Sequence, residues 1–391
     1  MQTAEIKDAL TRDERARYAR HLILPEVGLA GQRRLKAARV ALIGAGGLGS
    51  PAALYLAAAG VGTLCIIDDD VVDASNLQRQ VIHSTAAVGR PKIESAAERI
   101  AELNPSVRVE GRPVKLTADN AMELLRGYDI VIDGTDNFPT RYAATDACVL
   151  LGIPYVYGAV YRFEGQTSLF DARVGPCYRC LFPQPPPPGA APSCEEAGVL
   201  GVLPGVIGLL QATQTVKQII GIGTSLAGRL LVFDALDMTF RELRLRKDPD
   251  CALCGAHATI KSPVQIDATC QIDADASQRS APVQQTAFDV QPADIKARLD
   301  RGDSFELLDV RDEDEIEIAA LPHTAHIPAY EIAERTGDID RTRDVVVFCH
   351  SGGRSARVVT LLRMQGFDNV YNLNGGIARW SKDIDPTVPT Y

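Results

Sequence analysis

Short apolar runs that end in glycine or acidic residues recur along this chain, and they mark its elements. The first, Arg39 to Ile43, reads as a buried strand running directly into Gly44-Ala45-Gly46-Gly47-Leu48-Gly49. Ser50 to Ala59 is rich in alanine and leucine and predicts a helix, and Thr63 to Asp68 predicts the next strand. Strand, glycine loop, helix and strand in that order make a right-handed βαβ unit with its sheet covered on both faces. A helix over Lys92 to Leu103, a strand near Val107 to Val109 and a buried strand Ile130-Val131-Ile132-Asp133 extend it. Thr167 to Phe170 and Leu230 to Asp234 read as antiparallel additions, and the charged, amphipathic stretch Arg12 to Lys36 predicts helix ahead of the sheet. The apolar stretch Val199 to Leu210, broken by glycines and a proline, reads as a buried loop and helix.

The same grammar returns near the C-terminus. Leu307 to Val310 and Val345 to Phe348 are strands, the second leading into Cys349. Ser355 to Gln365 is an amphipathic helix, and Val370 to Leu373 is a last strand before Gly375-Gly376. Between the two blocks, Gly255 to Thr286 is rich in Ala, Ser, Gln and Asp and holds no period, so it reads as a linker. As a flexible coil it would span roughly 30 Å, enough to bring the C-terminal unit toward an N-terminal site. Pro183 to Pro192 is proline-rich, cannot join a sheet and predicts a surface loop beside the active site. The expected organisation is residues 1–255, a linker 256–287 and a smaller α/β unit 288–391.

Composition narrows the partners. A hydrophobic share of 46% and a charged share of 23% suit packed globular cores. A net charge of -9 makes direct nucleic-acid binding a poor expectation. No apolar run approaches the roughly 20 residues of a membrane span, and Met1 to Asp8 has no apolar signal core, so a cytoplasmic protein is expected. Nine cysteines, an odd number in a long acidic chain, fit metal and thiol chemistry better than a disulfide scaffold.

The first chemistry lies at the glycine loop. G-x-G-x-x-G between a strand and a helix brings backbone and helix N-terminal amides to phosphate, here Gly44, Gly46, Gly47 and Gly49. Asp68 ends the next strand, where a ribose-binding carboxylate belongs. Taken alone, such a loop can also simply pack a helix on a sheet, or hold a dinucleotide for redox chemistry. Arg79 and Lys92 lie downstream of the same sheet edge, and Asp136-Asn137 follows the strand ending at Asp133; two cations with a carboxylate for magnesium would meet the need of ATP when pyrophosphate leaves, although either cation alone reads as a solvated surface charge.

These features together resemble the MoeB/ThiF family of carrier-protein adenylyltransferases, relatives of ubiquitin-activating enzymes. The resemblance rests on Arg17-Tyr18-Ala19-Arg20-His21, the glycine loop, Ile67-Asp68-Asp69-Asp70, Ser75 and Asn76-Leu77-Gln78-Arg79-Gln80, Lys92 and Thr135-Asp136-Asn137, over about Arg12 to Gly255. It implies a Rossmann-like adenylation domain with a mostly parallel sheet, using ATP. It implies that Asp68 holds the ribose, and that Asn76, Arg79 and Lys92 hold phosphates. Asp136 would bind Mg2+ or orient the acyl phosphate, Asp70, Ser75, Leu77, Gln78 and Asn137 would complete the nucleotide site, and Arg20 would reach into the other subunit of a homodimer. The implied substrate is the terminal glycine carboxylate of a small β-grasp sulfur carrier ending in Gly-Gly. Adenylation makes chemical sense there, because a carboxylate is a poor electrophile until AMP makes it a good one.

Cys177 and Cys180, with Cys251 and Cys254, form two C-x-x-C pairs, which complete a closed four-thiolate shell for a structural Zn2+; a redox reading would need only one pair. Cys65 and Cys148 sit in apolar surroundings and read as core, and Cys270 falls in the linker. Cys194 reads as an ordinary thiol or a second nucleophile. Cys349-His350-Ser351-Gly352-Gly353-Arg354 follows a strand and aims backbone N–H groups at a sulfur, which with Arg354 favours a thiolate or persulfide. With Leu308-Asp309-Val310-Arg311, Ile327-Pro328, Gly375-Gly376-Ile377 and Trp380, this unit resembles a rhodanese domain from about Phe288 onward. Six loop residues suit sulfur, whereas related phosphatases carry one more before the arginine. His323 and His326 read as structural or exposed loop residues. The two resemblances imply sulfur transfer from a Cys349 persulfide, loaded by a cysteine-desulfurase-type donor, to give a carrier thiocarboxylate. Cys194 would resolve the acyl disulfide or carry a thioester. A conjugation-activating enzyme with the second unit as an interaction module, and a dinucleotide-dependent oxidoreductase, are the alternatives. Which carrier and pathway are served is not in the sequence.

Overall fold

A computed structural model describes residues 9–186, 198–266 and 288–389, which form two compact α/β units. Cys194, Cys270, the proline-rich loop past Pro186 and most of the linker lie outside the described residues.

The first unit is built on one eight-stranded sheet: β1 Arg39–Ile43, β2 Thr63–Ile67, β3 Arg108–Arg112, β4 Ile130–Asp133, β5 Tyr155–Tyr161, β6 Glu164–Phe170, β7 Arg229–Asp234 and β8 Thr239–Arg244. Its order is β3-β2-β1-β4-β5-β6-β7-β8. β1 to β5 pair in parallel, and β5 to β8 continue as antiparallel neighbours, as expected for the β6 and β7 segments. Parallel strands buried on both faces must be apolar throughout, and Val40 to Ile43 and Leu64 to Ile67 are all buried. The helix Gly49–Ala59 packs on one face with Leu56 and Ala52, beside the long helix Val202–Ile220. The helix Phe138–Leu151 covers the other, through Tyr142 and Ala147. The strand order reverses between β1 and its neighbours β2 and β4, which opens a crevice at the carboxyl ends of these strands.

Several expectations shift. The predicted N-terminal helix is three helices, Arg12–Arg17, Ala19–Leu22 and Gly28–Ala37, interrupted where Tyr18 buries its ring and where Pro25 removes a donor. β3 runs further than Val107 to Val109. β8 has every residue exposed, which hides it from a hydrophobic pattern. The described chain beyond Gly255 stays on the first unit: Ile266 is buried in its core, and Val264 N donates to Asp146 Oδ2 at 3.0 Å.

The second unit has a five-stranded parallel sheet of order β11-β10-β12-β13-β9, from β9 Asp289–Val290, β10 Phe305–Asp309, β11 Thr324–His326, β12 Asp344–Phe348 and β13 Val370–Leu373. His326 thus belongs to a strand rather than a loop, and its Nε2 meets Arg311 O at 2.8 Å. The central β12 is buried from Val345 to Phe348 and delivers Cys349 at its carboxyl end.

Candidate functional site

The crevice at the switch point is a cleft of about 1180 Å³. Gly44, Gly46, Gly47, Asp68, Asp70, Ser75, Asn76, Arg79, Lys92, Asp136 and Asn137 all line it, so the folded chain gathers nearly the whole set read from sequence. Gly49, Leu77 and Gln78 do not line it. Gly49 has a packing reason to be glycine: a Cβ there would stand 2.0 Å from the carbonyl oxygen of Gly44. Arg20 is exposed on its short helix and lies away from the cleft.

The charges are anchored before any ligand arrives. Lys92 begins the helix Lys92–Leu103, is buried along its stem, and sets its ammonium 2.8 Å from the exposed Asp70 carboxylate. Arg79 Nη2 and Gln80 Nε2 both donate to Asn76 Oδ1 at 2.9 Å, which fixes that short turn at the cleft edge. Asp68 accepts from Ala45 N at 2.7 Å and from Asp70 N at 2.9 Å, bridging the glycine loop to the end of β2. Asp136 is exposed at the cleft mouth, and the Asn137 side chain caps the helix Phe138–Leu151 by accepting from Thr140 N.

Beneath the cleft lies a buried pair that sequence reading did not single out. Asp133 ends β4 and accepts from Arg141 Nε at 2.8 Å, while Arg141 Nη2 also donates to the carbonyls of Thr135 and Gly158. Burial opposes the guanidinium charge, but Asp133 overcomes it and holds Arg141 well above its ordinary pKa. His83 is the other unread residue. Its buried ring lies between Ser95 Oγ and the carbonyl of Ala45, and burial pushes its pKa below the ordinary 6.5. The signal was present in its position, one turn past Arg79, but a lone histidine carries no pattern.

The four C-x-x-C sulfurs meet at one point. Cys177 Sγ lies 3.8 Å from Cys180 Sγ and 3.6 Å from Cys251 Sγ, and Cys180 Sγ lies 3.4 Å from Cys254 Sγ. All four fall within 4.8 Å of one another. A tetrahedral shell with Zn–S near 2.3 Å requires S···S of about 3.8 Å, so the donor set fits that ion. Burial first and then the neighbouring sulfurs push Cys177 far up, and burial pushes Cys254 up to about 11, while hydrogen bonds hold Cys251 below its ordinary value against burial, so four thiolates together would need the charge of a metal ion. Tyr178 and Arg179 sit between the first two ligands. Tyr178 faces the cleft, and Arg179 pairs with buried Asp146 at 2.6 Å. Cys65 and Cys148 are buried core residues, as their surroundings imply.

In the second unit, Cys349 Sγ accepts from Gly352 N at 3.2 Å, Ser355 N at 3.4 Å and Ser355 Oγ at 3.4 Å. These donors come from the turn and first residues of the helix Gly353–Met364, which ends the β12 strand-to-loop passage with amides aimed at sulfur. Arg354 is turned onto Glu315 by two contacts of 2.6 Å; burial opposes its charge, and Glu315 more than restores it, raising its pKa. The Asp309–Arg311 pair of the resemblance is buried below, joined at 2.6 Å.

Residues 18–253 match the ThiF family, well over half the chain. The chain belongs to the ThiF family. Residues 291–383 of this ThiF-family chain match the rhodanese-like domain. It is 45% identical to the probable adenylyltransferase/sulfurtransferase MoeZ of Mycobacterium tuberculosis, over 99% of this chain and 98% of the relative. It is 42% identical to the adenylyltransferase and sulfurtransferase MOCS3 of Mus musculus, over 98% of this chain and 88% of the relative. The sulfur carrier protein adenylyltransferase of Thermus thermophilus is 54% identical over 265 residues, 66% of this chain but 98% of the relative. Among solved structures, Escherichia coli MccB crystallised with MccA-N7isoASN has a TM-score of 0.56 at 20% identity, over 64% of this chain and 76% of MccB, which is a likeness of fold. No helix among the described residues of the ThiF-family chain is long and apolar enough to cross a membrane.

Proposed function

We propose that this chain uses ATP to adenylate the C-terminal glycine of a small ubiquitin-like sulfur carrier, and then converts the acyl adenylate to a thiocarboxylate with sulfur carried on Cys349. The observation that carries this reading is that one chain holds both a cleft ringed by Arg79, Lys92, Asn76 and Asp136 and a cysteine whose sulfur receives three hydrogen bonds.

In the first step a carrier carboxylate oxygen attacks the α-phosphorus of ATP, and the bond to the pyrophosphate oxygen breaks. The glycine loop amides, Asn76, Arg79 and Lys92 offset the charge that gathers on the departing pyrophosphate. Asp68 binds the ribose, and Asp70, Ser75 and Asn137 close the nucleotide site around it. Exposed Asp136 fits Mg2+, a hard cation that takes oxygen ligands and would neutralise phosphate charge. Arg20, exposed on its own chain, serves the cleft of a second copy in a homodimer.

In the second step the terminal sulfur of a Cys349 persulfide, loaded by a cysteine-desulfurase-type donor, attacks the acyl carbonyl. AMP leaves and an acyl disulfide remains. A thiolate, from Cys194 or an external reductant, attacks the Cys349 sulfur; the S–S bond breaks, the thiocarboxylate departs with the electron pair, and Cys349 ends in a new disulfide. Gly352 and Ser355 donate to the Cys349 sulfur and favour its thiolate and persulfide forms. Cys177, Cys180, Cys251 and Cys254 would hold Zn2+ in a structural role, since four protein ligands leave no open position. A cytoplasmic setting suits reduced thiols.

The deciding experiment is ATP–pyrophosphate exchange with a β-grasp carrier ending in Gly-Gly, followed by mass spectrometry of the carrier after a persulfide source is added. Carrier-dependent exchange and replacement of one oxygen by sulfur are expected. No exchange, or NAD copurifying in the cleft, would overturn the adenylation reading.

A further inference from the structure

The phosphate loop is braced from behind by a closed circuit of hydrogen bonds. Ala45 N donates to Asp68 Oδ2 at 2.7 Å. The Ala45 carbonyl meets His83 Nε2 at 3.1 Å and accepts from Ser50 Oγ at 3.2 Å. A carbonyl oxygen only accepts, so Nε2 carries the ring proton, and Nδ1 is left to accept from Ser95 Oγ at 3.0 Å. Ser95 stands on the helix that begins at Lys92; Lys92 Nζ reaches Asp70 at 2.8 Å, and Asp70 N returns to Asp68 Oδ1 at 2.9 Å. The circuit therefore joins the glycine loop, the end of β2 and the lysine-bearing helix, three of the elements that line the cleft.

His83 occupies the place in this circuit where orientation is set. A trans peptide unit is planar, and its C=O and N–H project in opposite directions. Pinning the Ala45 oxygen against His83 turns the Gly46 N–H of the same peptide away from the ring, and Gly46 lines the cleft. On the next peptide, the Gly46 carbonyl is taken by Ser50 N at 2.8 Å, so the loop is held on both sides of that amide.

We propose that His83 is a positioning residue for the nucleotide: it fixes the Ala45–Gly46 peptide so that the Gly46 N–H faces the ATP phosphates. This rests on the reading of the cleft as an ATP site. The ring acts through the loop and touches no substrate atom. A leucine in its place leaves the Ala45 oxygen to Ser50 alone and lets the peptide rock. Glutamine can place an amide N–H near the Nε2 position, whereas asparagine is too short to reach the carbonyl.

The test uses the full-length protein and its His83→Leu, His83→Gln and His83→Asn variants. ATP affinity is measured by calorimetry, KM and kcat by pyrophosphate exchange, and folding by thermal melting. The wild type should bind ATP. H83L and H83N should bind about five- to tenfold more weakly, the worth of one neutral hydrogen bond. Their KM should rise while kcat stays within about twofold, and H83Q should recover most of the affinity. A purely structural histidine would lower the melting temperature of all three variants without separating H83Q from H83N. Equal ATP affinity in H83Q and H83N, or wild-type affinity in H83L, would overturn the proposal. Absence of ATP binding in the wild type itself would instead overturn the reading of the cleft on which it depends.

Discussion

Cys349 shows how much one backbone turn asks of single residues. Its sulfur is received by the N–H groups of Gly352 and Ser355, and Gly352 sits in that turn at a φ of 92°, with Gly375 N 2.9 Å from where a Cβ would stand. Gly352→Ala should therefore cost about 1–3 kcal/mol in the second unit and pull a donor off the sulfur, lowering persulfide transfer at least tenfold. Thermal melting and a thiosulfate or persulfide transfer assay read the two effects separately. Cys349→Ala removes the nucleophile itself and should reduce thiocarboxylate formation by at least about a thousandfold, with ATP–pyrophosphate exchange retained; continued thiocarboxylate formation from a persulfide donor would remove Cys349 from the mechanism. His83 adds a pH signature. Burial holds its folded pKa below 6.5, and Lys92 facing it presses the same way, while the Ala45 carbonyl and Asp68 oppose. The unfolded chain then takes the proton first, so this contribution to stability is fully present above 6.5 and is lost as pH falls toward the depressed value. Melting temperature should drop more steeply on acidification in the wild type than in H83Q, and parallel curves would contradict the neutral-ring assignment.

Elements carry the next level of control, and the four-cysteine clamp is the clearest. It brings the turn Cys177–Cys180 against the segment Cys251–Cys254, and the residues inside that turn reach outward: Tyr178 packs edge-on against Tyr142 in the cleft wall, and Arg179 holds Asp146, which also accepts from Val264 N. Cys251→Ala, or removal of the ion by a chelator, should lower the melting temperature of the first unit by roughly 4–8 °C, corresponding to about 2 kcal/mol. Metal content near one zinc per chain in the wild type and near none in the variant checks the assignment; a full complement of zinc in C251A would refute it. The clamp was legible in the sequence because C-x-x-C spacing is short and local. So was the run of apolar strands, and so was part of the cleft lining, since the glycine loop, Asp68 and Asp136-Asn137 follow strands that the pattern marks, whereas Asn76, Arg79 and Lys92 lie on a turn and at a helix start. What the sequence did not expose was carried by pairings that form only in the folded chain. Arg141 meets Asp133 only after β4 and its following helix fold together, and His83 meets Ala45 only when the turn after β2 wraps behind the glycine loop. β8 was missed because an edge strand with both faces wet has no alternation to read. The N-terminal stretch is helical as its charge pattern implies, but that pattern continues across Pro25 and Gly28, where the backbone turns, and so does not show the breaks between its three helices.

At the scale of the whole chain, the two units have separate apolar cores: one set runs from Leu35 to Ile266, the other from Ile295 to Val388. Neither needs the other to bury its sheet. A relative of Thermus thermophilus, named a sulfur carrier protein adenylyltransferase, is almost wholly covered by two thirds of this chain, so that name attaches to a protein without room for both units. Cleaving the chain between them should thus leave two folded fragments, each retaining its own half-reaction: ATP–pyrophosphate exchange in one, and persulfide transfer to a small thiol in the other. The coupled product should suffer. Covalent connection of two units gives an effective concentration on the order of 1 mM, so fragments mixed at about 10 μM should make thiocarboxylate around a hundredfold more slowly than the intact chain. Raising the concentration of the second fragment should restore the rate in proportion, with no change in the KM for ATP. A rate that is indifferent to cleavage would mean that the units meet through a stable interface or through separate molecules, and the covalent connection would then have no kinetic role.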